Sequence, residues 1–144
     1  MATLSIHFLE DLKAKLDSIK STSYANVMIF MRWSDKEFTE TRVNDLFTCL
    51  SFFQPITNKL ELDLRDNCFK DEHASKLAAF VKRHEGLREL VIWLPSNYIS
   101  DEGVSHFASA IESLPQLTRL ALNFEWFPHQ EFHDFKRGCY LTLQ

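Results

Sequence analysis

The groups in this sequence best suited to chemistry lie near its end, in His129-Gln130-Glu131-Phe132-His133, with Asp134 and Cys139 following. Two histidines four residues apart on a helix share a face, so His129 and His133 could approach one metal ion. Zinc hydrolases require H-E-x-x-H, with the glutamate directly after the first histidine. Here Glu131 stands one place late and would point elsewhere, and Gly138 is placed to bend the chain between Asp134 and Cys139. A solvated capping helix is the plainer reading of this segment. A metal-binding or enzymatic protein that uses these histidines is its rival.

The other reactive groups are dispersed. Cys49, Cys68 and Cys139 share no C-x-x-C spacing and read as small buried hydrophobes. His84 aligns with Phe53 and Leu114 in the repeat described below, which makes it a helix-end core residue rather than a base. No serine, histidine and acid converge by any spacing rule, so no catalytic residue and no cofactor is expected. The chain has 3 glycines in 144 residues, and Gly86, Gly103 and Gly138 stand alone. Neither G-x-G-x-x-G nor G-x-x-x-x-G-K-[ST] can be written from them, which excludes the usual nucleotide-binding loops and leaves little scope for glycine-dependent turns.

Lys+Arg number 16 against Asp+Glu 20, a net charge of −4, with the basic residues scattered. Nucleic acid binding calls for a basic stripe, so no nucleic acid partner is expected. No apolar run approaches the about 20 residues that span a bilayer. The odd cysteine count and the acids Glu10, Asp11 and Asp17 near the start suit an intracellular, cytoplasmic protein better than a secreted or transit-peptide one.

The elements that must position these residues emerge from self-similarity. Leu60-Glu61-Leu62-Asp63-Leu64, Leu90-Val91-Ile92-Trp93-Leu94 and Leu120-Ala121-Leu122-Asn123-Phe124 alternate with period 2, as strands do, and lie 30 residues apart. Between them Asn67 matches Asn97, Phe69 matches Ile99, Asp71 matches Asp101, and Leu77, Ala78, Val81 and Leu87 match Phe107, Ala108, Ile111 and Leu117. An offset of 31 extends the pattern backwards, placing Ile29, Met31 and Trp33 on Leu60, Leu62 and Leu64, and Phe38, Leu46, Leu50 and Ile56 on Phe69, Leu77, Val81 and Leu87. Leu77, Ala78 and Val81 recur at helical spacing, and Asp71 and Asp101 stand where N-caps or first-turn acids belong. The expected elements are parallel strands at 28–33, 60–64, 90–94 and 120–124, and helices near 40–53, 72–84 and 102–114. Strands pack about 4.8 Å apart and helices about 8–10 Å, so strands should line the inside of an arc.

The segment Leu87-Arg88-Glu89-Leu90-Val91-Ile92-Trp93-Leu94-Pro95-Ser96-Asn97-Tyr98-Ile99, with the D-E-G-x-x-x-x-A-x-x-I helix that follows it, resembles the leucine-rich repeat family in its ribonuclease-inhibitor-like form. Its extra apolar alternation before the asparagine is similar to the long-strand repeats common in ciliate proteins. The resemblance covers residues 57–124 and, more loosely, 26–56. It implies an α/β fold: a short solenoid of about four strand-helix repeats, with the parallel sheet concave and the helices convex. The whole chain, 1–144, reads as one domain: an N-terminal capping helix over 1–23, repeats over 24–127 and a C-terminal cap over 128–144. Leu4, Phe8, Leu12, Leu16 and Ile19 form the apolar face of that first helix, with a membrane-surface helix as the alternative. At the other end Pro128 opens a helix with Phe132 and Phe135 inward, and Cys139 to Leu143 reads as a short final strand.

On this register the outward rows of the sheet are Met28, Lys59, Glu89, Arg119; then Phe30, Glu61, Val91, Ala121; then Arg32, Asp63, Trp93, Asn123; then Ser34, Arg65, Pro95, Glu125. Opposite charges alternate along the rows, as in Arg32 with Asp63, and would pair for a few tenths of a kcal/mol each. Trp93 has no core to fill there. With Phe30 and Val91 it forms an apolar patch of the kind that marks contact sites, unless it packs over Pro95 or under a terminal segment. The expected protein-binding residues are therefore Phe30, Arg32, Asp63, Arg65, Val91, Trp93 and Asn123. The family resemblance implies a non-catalytic protein-protein interaction module, a scaffold or accessory subunit of a larger cytoskeletal, ciliary or organellar complex. A structural spacer that touches neighbours through its convex helices is the remaining alternative.

Overall fold

The structure is a computed structural model that describes residues 2–33 and 37–125. Its elements in chain order are β1 Thr3–Ile6, α1 Leu9–Ala14, α2 Leu16–Ser21, β2 Asn26–Phe30, α3 Glu40–Ser51, β3 Lys59–Asp63, α4 Asp71–Lys82, β4 Glu89–Trp93, α5 Asp101–Glu112 and β5 Arg119–Asn123. The strands form one sheet in the order β1-β2-β3-β4-β5, and every neighbouring pair is parallel. This is an α/β fold in which each strand returns to the next through helix, because parallel neighbours cannot be joined by a tight turn.

Alternation decides which face is covered. Val27 and Ile29, Leu60 and Leu62, Leu90 and Ile92, and Leu120 and Leu122 are buried, while the residues between them are at most half-buried, apart from Asn123. The buried strand residues form one cluster with Leu46 and Leu50 of α3, Leu77 and Val81 of α4, and Phe107 of α5. Among the described residues the helices therefore pack on one face, and none of them covers the other. Helices α3 to α5 begin at residues 40, 71 and 101, close to the starts expected from their periodicity. Strands β3, β4 and β5 lie where the 30-residue period puts them.

Two expectations are corrected. The first concerns residues 1–23, where the single capping helix gives way to a fifth strand and two short helices. Leu4 and Ile6 are 6% and 0% exposed and pair in register with Val27 and Ile29, while Phe8 is 66% exposed instead of lying on an apolar helix face. The free edge of β2 is satisfied by backbone pairing, which outweighs the 3- and 4-residue spacing of Leu4, Phe8 and Leu12. The second concerns β2, which covers Asn26–Phe30 instead of 28–33: Val27 and Ile29 stand beside Leu60 and Leu62, an offset of 33. The helices keep 31, and the difference is absorbed by nine residues, 31–39, between β2 and α3, against seven, 64–70, between β3 and α4. In α5, Ala108 is exposed although its counterpart Ala78 is buried.

The turns after β3 and β4 are built without glycine. Asp66, Cys68 and Ser96 hold φ of 55°, 56° and 57°, the left-handed region that usually costs a side-chain-bearing residue about 1–2 kcal/mol. Buried asparagines hold those turns in place. The Asn97 side-chain oxygen accepts from the Asn67 and Phe69 N–H groups at 3.1 and 2.9 Å, and its amide donates to the Leu64 and Leu94 carbonyls at 2.9 and 3.0 Å. Asn67 repeats the device one strand earlier, accepting from Trp33 N–H and donating to the Met31 carbonyl, both at 2.6 Å. A single buried side chain thus satisfies backbone groups on two successive turns.

The helices are tied together by similar cross-bracing. Asp71, first residue of α4, accepts from the Ser100 N–H at 2.7 Å, the Ser100 hydroxyl at 2.5 Å and the Gly103 N–H at 3.1 Å. It therefore caps the following helix, α5, as well as standing in the first turn of its own. Gly103 is required by this approach: a Cβ there would meet the Asp71 carboxylate and lie 2.6 Å from Ile99 Cγ2.

Candidate functional site

The open face of the sheet carries the candidate site. The two-residue shift of β2 preserves which of its side chains face outward but changes their neighbours. The rows are now Thr3, Asn26, Lys59, Glu89, Arg119; then Ser5, Met28, Glu61, Val91, Ala121; and a third row in which Phe30, Asp63, Trp93 and Asn123 are adjacent. Phe30 and Trp93 therefore flank Asp63, two strand spacings or about 10 Å apart. Phe30, Val91 and Trp93 are all half-buried. Phe30 also stacks on His7, just past β1, with ring centroids 5.3 Å apart and planes 17° from parallel.

The charged members of this face neutralise one another. Lys59 lies 2.9 Å from Glu61 and 3.3 Å from Glu89, and Glu89 also meets Arg119 at 3.1 Å, as the alternation of sign along that row requires. Carboxylate contacts hold the Lys59 ammonium above its usual pKa, with the Glu61 hydrogen bond the main cause. Arg65, two residues past the end of β3, grips Asp63, the last residue of that strand, through two bonds, 2.8 Å from Nε to Oδ1 and 2.7 Å from Nη2 to Oδ2. Arg32 pairs at 2.8 Å with Asp66, not with Asp63, because the shifted register sets it beyond the strand end. These exposed pairs are each worth about 0–1 kcal/mol. What they leave uncommitted is the apolar set Met28, Phe30, Val91, Trp93 and Ala121.

Asn123 departs from the expected docking role. It is 6% exposed, its side-chain oxygen accepts from Glu125 N–H at 2.8 Å, and its backbone carbonyl accepts from Leu94 N–H at 2.7 Å. It shapes the turn after β5. Pro95 is buried as well, so the fourth row, set out as outward, does not continue the open face there. Ser34 lies outside the described residues.

His84 lies in the core, as its alignment with Phe53 and Leu114 implies. It is 0% exposed, Nδ1 accepts from the Ile56 N–H at 3.2 Å, Nε2 has no partner, and Phe80 packs edge-on at 4.6 Å. Burial, aided by the charge of Arg83, lowers its pKa to about 4. His73, in the first turn of α4, was not singled out from the sequence. Its Nδ1 accepts from Lys70 N–H at 2.9 Å, it lies among Phe38, Phe47 and Phe69, and burial again lowers its pKa. The signal for it was H at the third position of the Asp71 helix, a place from which a side chain can reach back to the N-cap. Neither ring is presented to solvent as a base.

Cys49 is buried, with its thiol pKa pushed up by that burial, and Cys68 is half-buried. Among the described residues no three His, Cys, Asp or Glu side chains gather into a metal-binding group, and no helix is long and apolar enough to cross a membrane. His129, His133, Glu131, Asp134, Cys139 and the cap placed at 128–144 lie outside the described residues. Comparison with protein-family models, with curated proteins and with solved structures finds no match to this chain.

Proposed function

We propose that this chain is a non-catalytic protein-protein interaction module, built as a short leucine-rich-repeat solenoid, that docks a partner on the open, concave face of its sheet. The observation that carries the reading is Trp93, a large aromatic on an interior strand, directed away from the helix-covered core and half-exposed beside Val91. Large aromatics supply a disproportionate share of binding energy at interfaces. Phe30, Asp63, Arg65, Arg32 and Val91 make up the surrounding contact surface, and Asn123, beside Trp93 in the same row, shapes the turn at its margin. Because the charges on this face already pair with one another, the partner is expected to offer an uncharged apolar ridge or helix face, and binding should depend little on salt. A role as accessory subunit or scaffold suits an open sheet face that presents Trp93 and Val91.

The test is affinity purification of the tagged chain from its native cells, in parallel with Trp93→Ala and with Lys82→Glu on the helix side. Partners lost in Trp93→Ala and kept in Lys82→Glu support docking on the sheet. With the partner purified, Trp93→Ala should weaken binding by about 2 kcal/mol, or about thirtyfold. Partners lost only in Lys82→Glu would refute the reading in favour of a spacer that contacts neighbours through its helices.

A further inference from the structure

The connection from α3 to β3 is held differently from its counterparts in the two repeats that follow. Residues 83–88 join α4 to β4 and residues 113–118 join α5 to β5, six in each case. Both close on themselves: Leu87 N–H donates to the His84 carbonyl at 2.9 Å, and Leu117 N–H to the Leu114 carbonyl at 3.3 Å. The connection from α3 takes seven residues, 52–58, and contains Pro55, which has no N–H to offer. Its equivalent donor is Ile56 N–H, which reaches out of the repeat to His84 Nδ1 at 3.2 Å. The Phe53 carbonyl accepts from Arg83 Nη2 at 3.2 Å, and Arg83 Nη1 donates to the Ser51 carbonyl at 3.0 Å. Two consecutive residues at the end of α4 therefore supply from outside the closure that the other connections make internally. Phe53 and Ile56, which this closure holds in place, are both buried.

A histidine at this place makes the closure sensitive to protons. Accepting from Ile56 N–H puts the hydrogen of the neutral ring on Nε2, which is buried and has no partner. A second proton can go only to Nδ1, the acceptor itself. It would set two N–H groups against each other and place an imidazolium beside the Arg83 guanidinium, the one charged group acting on the ring among the described residues. Phe80, edge-on to the ring, and Ile56 bring no opposite charge to offset it. One proton thus breaks the Ile56 bond and repels the residue that makes the other two. We propose that Arg83-His84 is an acid-released latch: protonation of His84 opens residues 53–57 and uncovers Phe53 and Ile56, while β3, β4 and β5 stay paired. The opening stops at Asn58, which already belongs to the sheet, donating to the Ala25 carbonyl and accepting from the Arg88 and Glu89 N–H groups, each at 2.9 Å. The connections after α4 and α5 keep their internal bonds. Once released, the ring takes up a proton at its ordinary value, so opening grows as the pH falls from about 6.5 toward about 4.

The test is residue-resolved amide hydrogen exchange of the full chain by NMR at pH 7 and pH 5, each rate corrected for its intrinsic chemical value, with His84→Leu beside the parent. Protection of the Ile56 and Thr57 amides in the parent should fall at least about tenfold between the two pH values. At pH 5 it should also lie at least about tenfold below that of the β4 amides, which marks a local opening instead of global unfolding. In His84→Leu the fall at Thr57 should be absent, since carboxylates that titrate in both proteins remain and the imidazole does not. If that variant does not fold, the parent decides, through the comparison of residues 53–57 with β4. Protection at Ile56 and Thr57 that is unchanged by pH would overturn the proposal. So would exchange of residues 53–57 in step with β4 at pH 5, or the same fall at Thr57 in His84→Leu.

Discussion

Lowering the pH from 7 to 4 should cost this protein about 3 kcal/mol of stability through His84 alone, and His84→Leu should remove that dependence. In the folded chain His84 is neutral, with its pKa lowered to about 4 from an ordinary 6.5, chiefly by burial. The unfolded chain protonates the same ring near its ordinary value. As the pH falls the unfolded state therefore takes up the proton first. The contribution is whole above about pH 6.5 and is lost on the way down to about pH 4, and at about 1.36 kcal/mol for each pH unit between the two values it amounts to about 3 kcal/mol. That is a large share of a total typically about 5–15 kcal/mol. The geometry explains the sign: a protonated Nδ1 cannot accept from Ile56 N–H, and Nε2 has no buried acceptor to receive its proton. Leucine is a size the repeat accepts, because Leu114 occupies the matching position and is 5% exposed. At neutral pH the variant should lose about 1–3 kcal/mol from the orphaned Ile56 N–H, partly offset by added apolar burial. The assay is urea unfolding of both proteins at intervals from pH 7 to 4. Carboxylates and His73 titrate in both, so they cancel in the difference. The gap between parent and variant should shrink or reverse by about 3 kcal/mol across that range, and a constant gap would refute the argument.

Asn97→Ala should destabilise by several kcal/mol, since it orphans the buried N–H groups of Asn67 and Phe69 at about 1–3 kcal/mol each; thermal melts would measure it, and a loss under about 1 kcal/mol would mean water replaces the amide. Asp71→Ala should cost about 1–2 kcal/mol by uncapping α5, and Gly103→Ala should cost a similar amount by forcing the same carboxylate away. The double variant should then be less destabilised than the sum of the two, because both act on one contact. Leu94→Ala, at a site 1% exposed, should cost about 2–5 kcal/mol, whereas Trp93→Ala should melt much closer to the parent; equal melting points would place Trp93 in the core.

The sequence by itself determined the parallel α/β plan from β3 onward, because a 30-residue recurrence of Leu60, Leu90 and Leu120 leaves one consistent register and each intervening apolar stripe has helical spacing. It also determined that His84 is core, through its alignment with Phe53 and Leu114, and which face of the strands carries Trp93. Only the tertiary structure decided the register of β2. A shift of two residues preserves inward and outward parity, so alternation cannot distinguish Val27 from Ile29 as the partner of Leu60, and loop length absorbs the difference. The same holds for residues 3–6, where Leu4 and Ile6 fit a strand and Leu4, Phe8 and Leu12 fit a helix. The choice was made by the unpaired backbone of β2, a neighbour 20 residues and more away in the chain. Asp71 as a cap for the next helix, and Asn123 as a buried turn residue, were likewise beyond local pattern. Hydrogen-bond partners between repeats depend on how closely two elements approach, and periodicity along one chain carries no record of that distance.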